Sequence, residues 1–289
     1  MGIEIEPLHP LYGARLHGVD IRAPIGDEMF AQIKAAMATY AVCVIGHDAP
    51  PSNEAHIAFS ARLGPLQRSA QKIAGTGERV PYPEIVDQSN LDEVGEIYAD
   101  DDRRLAYKRA NRLWHTDMSF YDVRATYSLL SAHAVPPSGA ETEFTDMRAV
   151  WDALPLSLKD EVGGLVAEHS YWHSRVLGGG PEPTEEERRT RPPARHPLAH
   201  VHAPSGRTAL YLASHVCGVV GWPQDKARKL LDELMGFATQ PRFVYAHQWR
   251  LGDVLIWDNL ATMHRATPFD DRLYRRDMRR TTCRERALA

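Results

Sequence analysis

Along the first 22 residues apolar and polar positions alternate in short pieces cut by Pro and Gly, the pattern of paired strands. From 27 to 40 (DEMFAQIKAAMATY) the apolar period lengthens to that of a helix, with Asp27 placed to cap or charge its first turn. A short buried strand, 41–45, precedes a second helix, 53–63, which Gly64-Pro65 stops. The pattern weakens over 66–110, where DEVGEIYADDDRR reads as loop with a little strand. From Leu113 the β period returns, and 127–135 (YSLLSAHAV) is a core strand ended by Pro136-Pro137. Helices follow at 147–154 and 156–168, the second opened by Pro155. The stretch 178–195 (GGGPEPTEEERRTRPPAR) has no apolar face to bury and predicts a mobile surface loop. Beyond it come strands at 198–203 and 209–213 joined as a hairpin through Ser205-Gly206, and a helix at 224–238. Strands at 243–247, 253–257 and 278–282 close the chain.

Strands at both ends with helices inserted between them predict an α+β chain, mainly β, built around an antiparallel sandwich. A length of 289 residues fits a single domain spanning 1–289. Lys and Arg total 34 against 38 Asp and Glu, a net charge of −4, and the signs are mixed along the chain. Nucleic-acid and membrane-surface partners are therefore not suggested. Cys43, Cys217 and Cys283 are widely spaced and form no C-x-x-C pair, which argues against a disulfide framework or zinc knuckle. The first residues lack the basic and apolar segments of a secretory signal, and no apolar run approaches the about 20 residues needed to span a bilayer. A cytoplasmic protein is expected.

The candidate chemistry starts in NRLWHTDMSFY, 111–121. Alternate side chains of a strand share one face, so His115 and Asp117 aim an imidazole and a carboxylate at one point. That geometry suits a metal, although an isolated His-x-Asp pair is ordinarily just a charge-assisted hydrogen bond. Two histidines and one carboxylate with open positions mark non-haem Fe(II) oxygenases. The best third ligand is His264, in WDNLATMHRAT just after the strand 253–257. By themselves Arg275, Arg276, Arg279 and Arg280 read as a solvated basic strand, and Thr142 as a β-former. Trp114 and Trp257 read as packing beside the site, and Asn111 or Asn259 as residues able to orient ligands. A zinc hydrolase is disfavoured, since no H-E-x-x-H motif or Glu base accompanies His115.

Nearly the whole chain resembles the taurine dioxygenase family of Fe(II)/2-oxoglutarate enzymes. The likeness runs in order through LHPLYGARLHGVDIRAPI, HIAFSARLGPL, NRLWHTDMSF, VPPSGAETEFTDMRAVWDALP, VHAPSGRTALY, FVYAHQWRLGDVLIWDNLATMHRAT and RRDMRRTT. It is nearer the 2,4-dichlorophenoxyacetate, or aryloxyalkanoate, branch. The resemblance implies a double-stranded β-helix (jelly roll) core with flanking helices, Fe(II) as metal, and 2-oxoglutarate and O2 as cosubstrates. It carries the metal ligands onto His115, Asp117 and His264, and the 2-oxoglutarate contacts onto Thr142 and Arg275, with Arg279 facing the cosubstrate or the substrate carboxylate. Retention of Asp117 implies hydroxylation rather than halogenation.

The branch implies an anionic aryloxyalkanoate hydroxylated at its α-carbon. Arg279, His202, Lys72 and Asn111 are the candidates to meet it, against the plainer readings of His202 as a solvent-facing hairpin residue and Lys72 as a solvated one. His200, Gly163-Gly164 and the 178–195 stretch depart from the branch and leave the substrate open. The alternatives are a sulfonate or amino-acid oxygenase of the same family, and a non-catalytic cupin-like binding protein. Family members commonly form homodimers or larger assemblies, and a homo-oligomer is expected.

Overall fold

The computed structural model describes residues 2–68, 79–99, 102, 104 and 110–286. In chain order it begins with strands β1 (Glu4–Pro7) and β2 (Ala14–His17), helix α1 (Asp27–Tyr40), β3 (Val42–Ile45), α2 (Asn53–Leu63) and the short β4 (Val86–Asp87). After a 3-10 turn at Ala110–Arg112 come β5 (Ala125–Ala134), β6 (Thr142–Asp146), α3 (Met147–Ala153), α4 (Leu156–Val162) and β7 (Val166–His169). Helices α5 (Tyr171–Leu177) and α6 (Glu185–Thr190) lead to β8 (Ala194–Pro197), β9 (Ala199–His202), β10 (Arg207–Leu210) and β11 (Val216–Val219). The chain ends with α7 (Gln224–Ala238), β12 (Val244–His247), β13 (Val254–Asp258), β14 (Thr262–Ala266) and β15 (Asp277–Arg284).

Two sheets matter for the site. The larger orders its strands β1-β2-β3-β13-β5-β15-β4, and a smaller one orders them β12-β6-β14. All these pairings are antiparallel except β2 with β3. The expected α+β mixture is present. The centre of the larger sheet is buried on both faces, which is why β3 and β13 are continuous apolar runs rather than alternating ones. One face carries Cys43, Ile45, Leu129, Val254 and Ile256 against Ile33, Met37 and Phe59 of α1 and α2. The other face carries Val42, Val44, Leu255, Trp257 and Met278 against Phe144 of β6. The smaller sheet turns its outer side to α7, whose Ala227, Leu230, Leu234 and Ala238 repeat at helical spacing and are buried. Each fully buried leucine of that stripe contributes about 1.5–3 kcal/mol. Four layers result, and the space between the two sheets is where polar side chains converge.

Several sequence expectations are corrected. The helix expected over 156–168 stops at Val162, because Gly163 and the left-handed Gly164 break it, and 166–169 becomes a strand. Helix α5 was not anticipated. The stretch 178–195 holds α6 and the start of β8: Thr184 and Glu187 form a reciprocal capping box, so local hydrogen bonds build a helix with no buried residue. The strand expected from Leu113 is a single bridge, His115 to His264, followed by turns.

Candidate metal centre

His115 enters through that bridge. Its backbone N–H donates to the His264 carbonyl at 2.9 Å, and the His264 N–H donates back to the His115 carbonyl at 2.7 Å, so the segment edges β14. The two rings lie 4.2 Å apart between centroids. Asp117 follows on a turn, where Met118 adopts a left-handed φ of 58°. One donor atom from each of His115, Asp117 and His264 falls within 4.8 Å of the others, and all three residues are buried.

The surroundings fix both geometry and protonation. The Asp117 backbone N–H donates to Asn259 Oδ1 at 3.1 Å, Ser128 Oγ donates to Asp117 Oδ2 at 2.7 Å, and Asn259 Nδ2 donates to Ser128 Oγ at 2.9 Å. Trp257 Nε1 also donates to Asn259 Oδ1, and its ring packs 4.8 Å from His264. Phe144 stacks on His264 at 5.8 Å and also meets the Trp257 ring at 5.7 Å. Burial pushes the Asp117 carboxyl up, but Arg280, His264 and His115 outweigh it and hold it at about 2. Burial lowers both imidazoles, that of His264 well below its ordinary value with His115 as the second cause. His115 Nδ1 lies 2.7 Å from the Leu113 carbonyl, which selects the tautomer that leaves Nε2 as the free lone pair. Two neutral imidazoles and one ionised carboxylate are the donor set a divalent metal requires.

The arginines differ from the sequence expectation. Arg275 is half exposed and pairs with Glu96 at 2.6 Å. Arg279 reaches the α2 side of the larger sheet, with Nη1 2.8 Å from Asn53 Oδ1. Arg280 takes the inner side instead. Arg280 Nη1 lies 2.5 Å from Asp117 Oδ1. Arg276 retains some exposure, yet its guanidinium is deep enough that burial alone pulls it down to about 10, with Nη1 donating to the Gln88 carbonyl at 3.2 Å. For Arg280 the reason is strand phase: β15 pairs Arg280 with Leu130 and Thr282 with Ser128, so the even positions within the strand share the face of Ser128 and Asp117.

Other candidates separate in the same way. Thr142 sits on the side of β6 that bears Phe144 and accepts from Trp249 Nε1 at 3.1 Å. His202 is not a solvent-facing hairpin residue and does not reach the donor set: it is buried, 3.0 Å from Asp258 Oδ2 and 2.7 Å from Ser205 Oγ. Asn111 donates to Gln88 Oε1 at 3.1 Å. Trp114 faces the outer side of the small sheet under Arg265, whose guanidinium lies 4.8 Å from the ring centroid. Lys72 falls outside the described residues. Sequence reasoning missed Ser128 and His215; His215 meets His115 edge-on at 6.2 Å, and only the fold could bring it there.

A family model described as "Taurine catabolism dioxygenase TauD, TfdA family" matches residues 4–282. The alpha-ketoglutarate-dependent 2,4-dichlorophenoxyacetate dioxygenase of Cupriavidus pinatubonensis is 40% identical over 288 residues, covering 100% of both chains. The (S)-phenoxypropionate/alpha-ketoglutarate-dioxygenase of Sphingobium herbicidovorans is 32% identical over 275 residues, 92% of this chain and 90% of that one. Among solved structures, AAD-2 in complex with Mn(II) and N-oxalylglycine superposes with a TM-score of 0.91 at 38% identity, covering 99% of each chain.

Proposed function

The chain belongs to the TauD, TfdA family of dioxygenases, and on that premise we propose that it hydroxylates the α-carbon of an anionic aryloxyalkanoate such as 2,4-dichlorophenoxyacetate. It is a 2-oxoglutarate-dependent dioxygenase that uses Fe(II) and O2. The observation that carries the reading is the convergence of His115, Asp117 and His264 on one point; Arg276 adds a deep guanidinium with no acidic partner among the described residues. Three donors leave half of an octahedral shell for other ligands, and an unpaired deep cation fits an anionic cosubstrate.

In this reading His115, Asp117 and His264 hold the iron, and Arg276 with Thr142 holds the far carboxylate of 2-oxoglutarate. The chemistry such a centre supplies is O2-driven replacement of a C–H hydrogen by hydroxyl, coupled to conversion of 2-oxoglutarate to succinate and CO2. The protein's own residues orient and exclude. Asn259 and Ser128 set the Asp117 carboxylate, Trp257 and Phe144 pack against the His264 ring, and the two sheets shut bulk water from behind the donors. Hydroxylation beside an ether oxygen gives a hemiacetal that collapses to a phenol and glyoxylate, or pyruvate from a propionate. The fold finding that bears on the jelly-roll architecture is the pair of facing antiparallel sheets with the donors between them.

The test is a panel of phenoxyacetates and phenoxypropionates supplied with Fe(II), 2-oxoglutarate and O2, with phenol and succinate both measured. At least one member is expected to give equal amounts of the two products, and His115→Ala to give neither. Succinate without phenol across the panel would refute the aryloxy substrate in favour of another carboxylate or a sulfonate.

A further inference from the structure

Strand β12 runs beside β6 with His247 opposite Thr142, and Trp249 stands two residues beyond the strand's end. From there its indole Nε1 donates to Thr142 Oγ1 at 3.1 Å. Thr142 is 4% exposed and shares a face of β6 with Phe144, the ring stacked on His264. Same-face neighbours on a strand are about 7 Å apart. The hydroxyl that Trp249 touches is therefore one such step from a ring packed on the donor set.

An indole N–H can only donate, so this bond occupies a lone pair of Thr142 Oγ1 and turns the hydroxyl hydrogen elsewhere. That hydrogen meets no acceptor among the described residues. A buried donor without a partner is costly to leave, and it marks a place for an acceptor. An oxygen that already accepts a hydrogen bond also donates more strongly, because the two bonds polarise each other. Trp249 is itself held. Its ring meets His247 edge-on at 4.7 Å, and His247 lies 3.1 Å from Asp253 Oδ2 through Nε2 and 3.1 Å from the Tyr245 hydroxyl through Nδ1. The Arg250 N–H donates to the same Asp253 oxygen at 3.1 Å. Asp253 directly precedes β13, so the indole is anchored to the larger sheet while it touches the smaller one.

We propose that Trp249 is a positioning residue for the cosubstrate: it sets the Thr142 hydroxyl as a donor toward the far carboxylate of 2-oxoglutarate. The proposal rests on the function given above, which assigns that carboxylate to Thr142 and Arg276. A guanidinium carries its donors in a fixed fork, whereas a threonine hydroxyl rotates and needs a partner to set it. Trp249 is that partner, and with its single polar atom spent on Oγ1 it does not compete for the anion. Trp249 also lines an open cleft of about 390 Å³ with Arg15 and Arg250, so a smaller ring in its place leaves no sealed void.

The experiment loads wild type, Trp249→Phe, Thr142→Val and the double variant with Mn(II) under anaerobic conditions, so that no turnover occurs. Calorimetry measures binding of 2-oxoglutarate and of 2-oxovalerate, its analogue with a methyl in place of the far carboxylate. Wild type is expected to prefer 2-oxoglutarate. Trp249→Phe is expected to weaken 2-oxoglutarate about 3- to 10-fold and Thr142→Val about tenfold or more, with 2-oxovalerate within about twofold in each. The double variant is expected to bind 2-oxoglutarate no more weakly than Thr142→Val, because an indole that acts through the hydroxyl has nothing to set once the hydroxyl is gone. Trp249→His, whose ring N–H can take the indole's place, is expected to recover part of the loss. Wild-type 2-oxoglutarate affinity in Trp249→Phe, equal losses for the two acids, or additive losses in the double variant would each overturn this inference and leave the function standing. A wild type without preference for 2-oxoglutarate over 2-oxovalerate would overturn the cosubstrate assignment of Thr142 and Arg276, and the inference with it.

Discussion

At the residue scale, the lesson lies in the sequence Arg275-Arg276-Asp277-Met278-Arg279-Arg280. Two arginines four apart on one strand face were expected, and both the 275/279 and the 276/280 pairs satisfy that spacing. Nothing local chooses between them. The pairing of β15 with β5 sends Arg279 to Asn53 and Arg280 to Asp117, while Arg275, ahead of the strand, meets Glu96. The convergence of His115, Asp117 and His264 was legible because His-x-Asp and the distal His264 sit in distinctive surroundings; which arginine of the 279/280 pair faces Asp117 was not, because it is a property of sheet register. The swap makes a prediction. Arg276→Met is expected to raise the KM for 2-oxoglutarate by about 10- to 100-fold, the worth of a charge-assisted contact, while Arg275→Met leaves it within about twofold. Steady-state kinetics in varied 2-oxoglutarate checks this, and the reverse ranking would restore the original assignment.

At the element scale, α2 and the sheet it covers share a buried polar seam. His56 Nδ1 lies 3.0 Å from Ser131 Oγ, and Nε2 lies 3.1 Å from Thr281 Oγ1. Burial, then the charge of His133, lowers His56 to about 3 from an ordinary 6.5. The folded protein thus keeps the ring neutral where the unfolded chain takes up a proton. The associated stability is fully present above pH about 6.5 and is lost as pH falls toward about 3, at up to about 1.4 kcal/mol per pH unit. In His56→Gln this proton uptake is gone, so denaturant-measured stability is expected to decline less steeply than wild type between pH about 6 and about 4.5. Parallel declines would contradict the assignment. Long elements of this kind were readable: α1, α2 and α7 fall where apolar period and helix stops placed them. Helix α6 was not foreseen, because its order comes from the Thr184–Glu187 capping box rather than an apolar face. The signal, Thr followed three residues later by Glu, was present in the sequence.

At the scale of the whole molecule, the arrangement of layers explains how donors so distant in sequence come together. The centre of the larger sheet is buried on both faces, so it is a rigid floor carrying Ser128 and Arg280, and the small sheet with its attached His115 segment is the opposing wall. Asn259, at the turn between β13 and β14, ties the two by bonding Asp117, Trp257 and Ser128 together. No helix among the described residues is long and apolar enough to cross a membrane. The most direct test of the central claim is anaerobic addition of Fe(II) and 2-oxoglutarate, followed by visible absorption. Wild type is expected to develop a charge-transfer band that is absent from His264→Ala and Asp117→Ala variants whose circular dichroism matches wild type. A wild type without the band, or a band that survives loss of His264, would contradict the account.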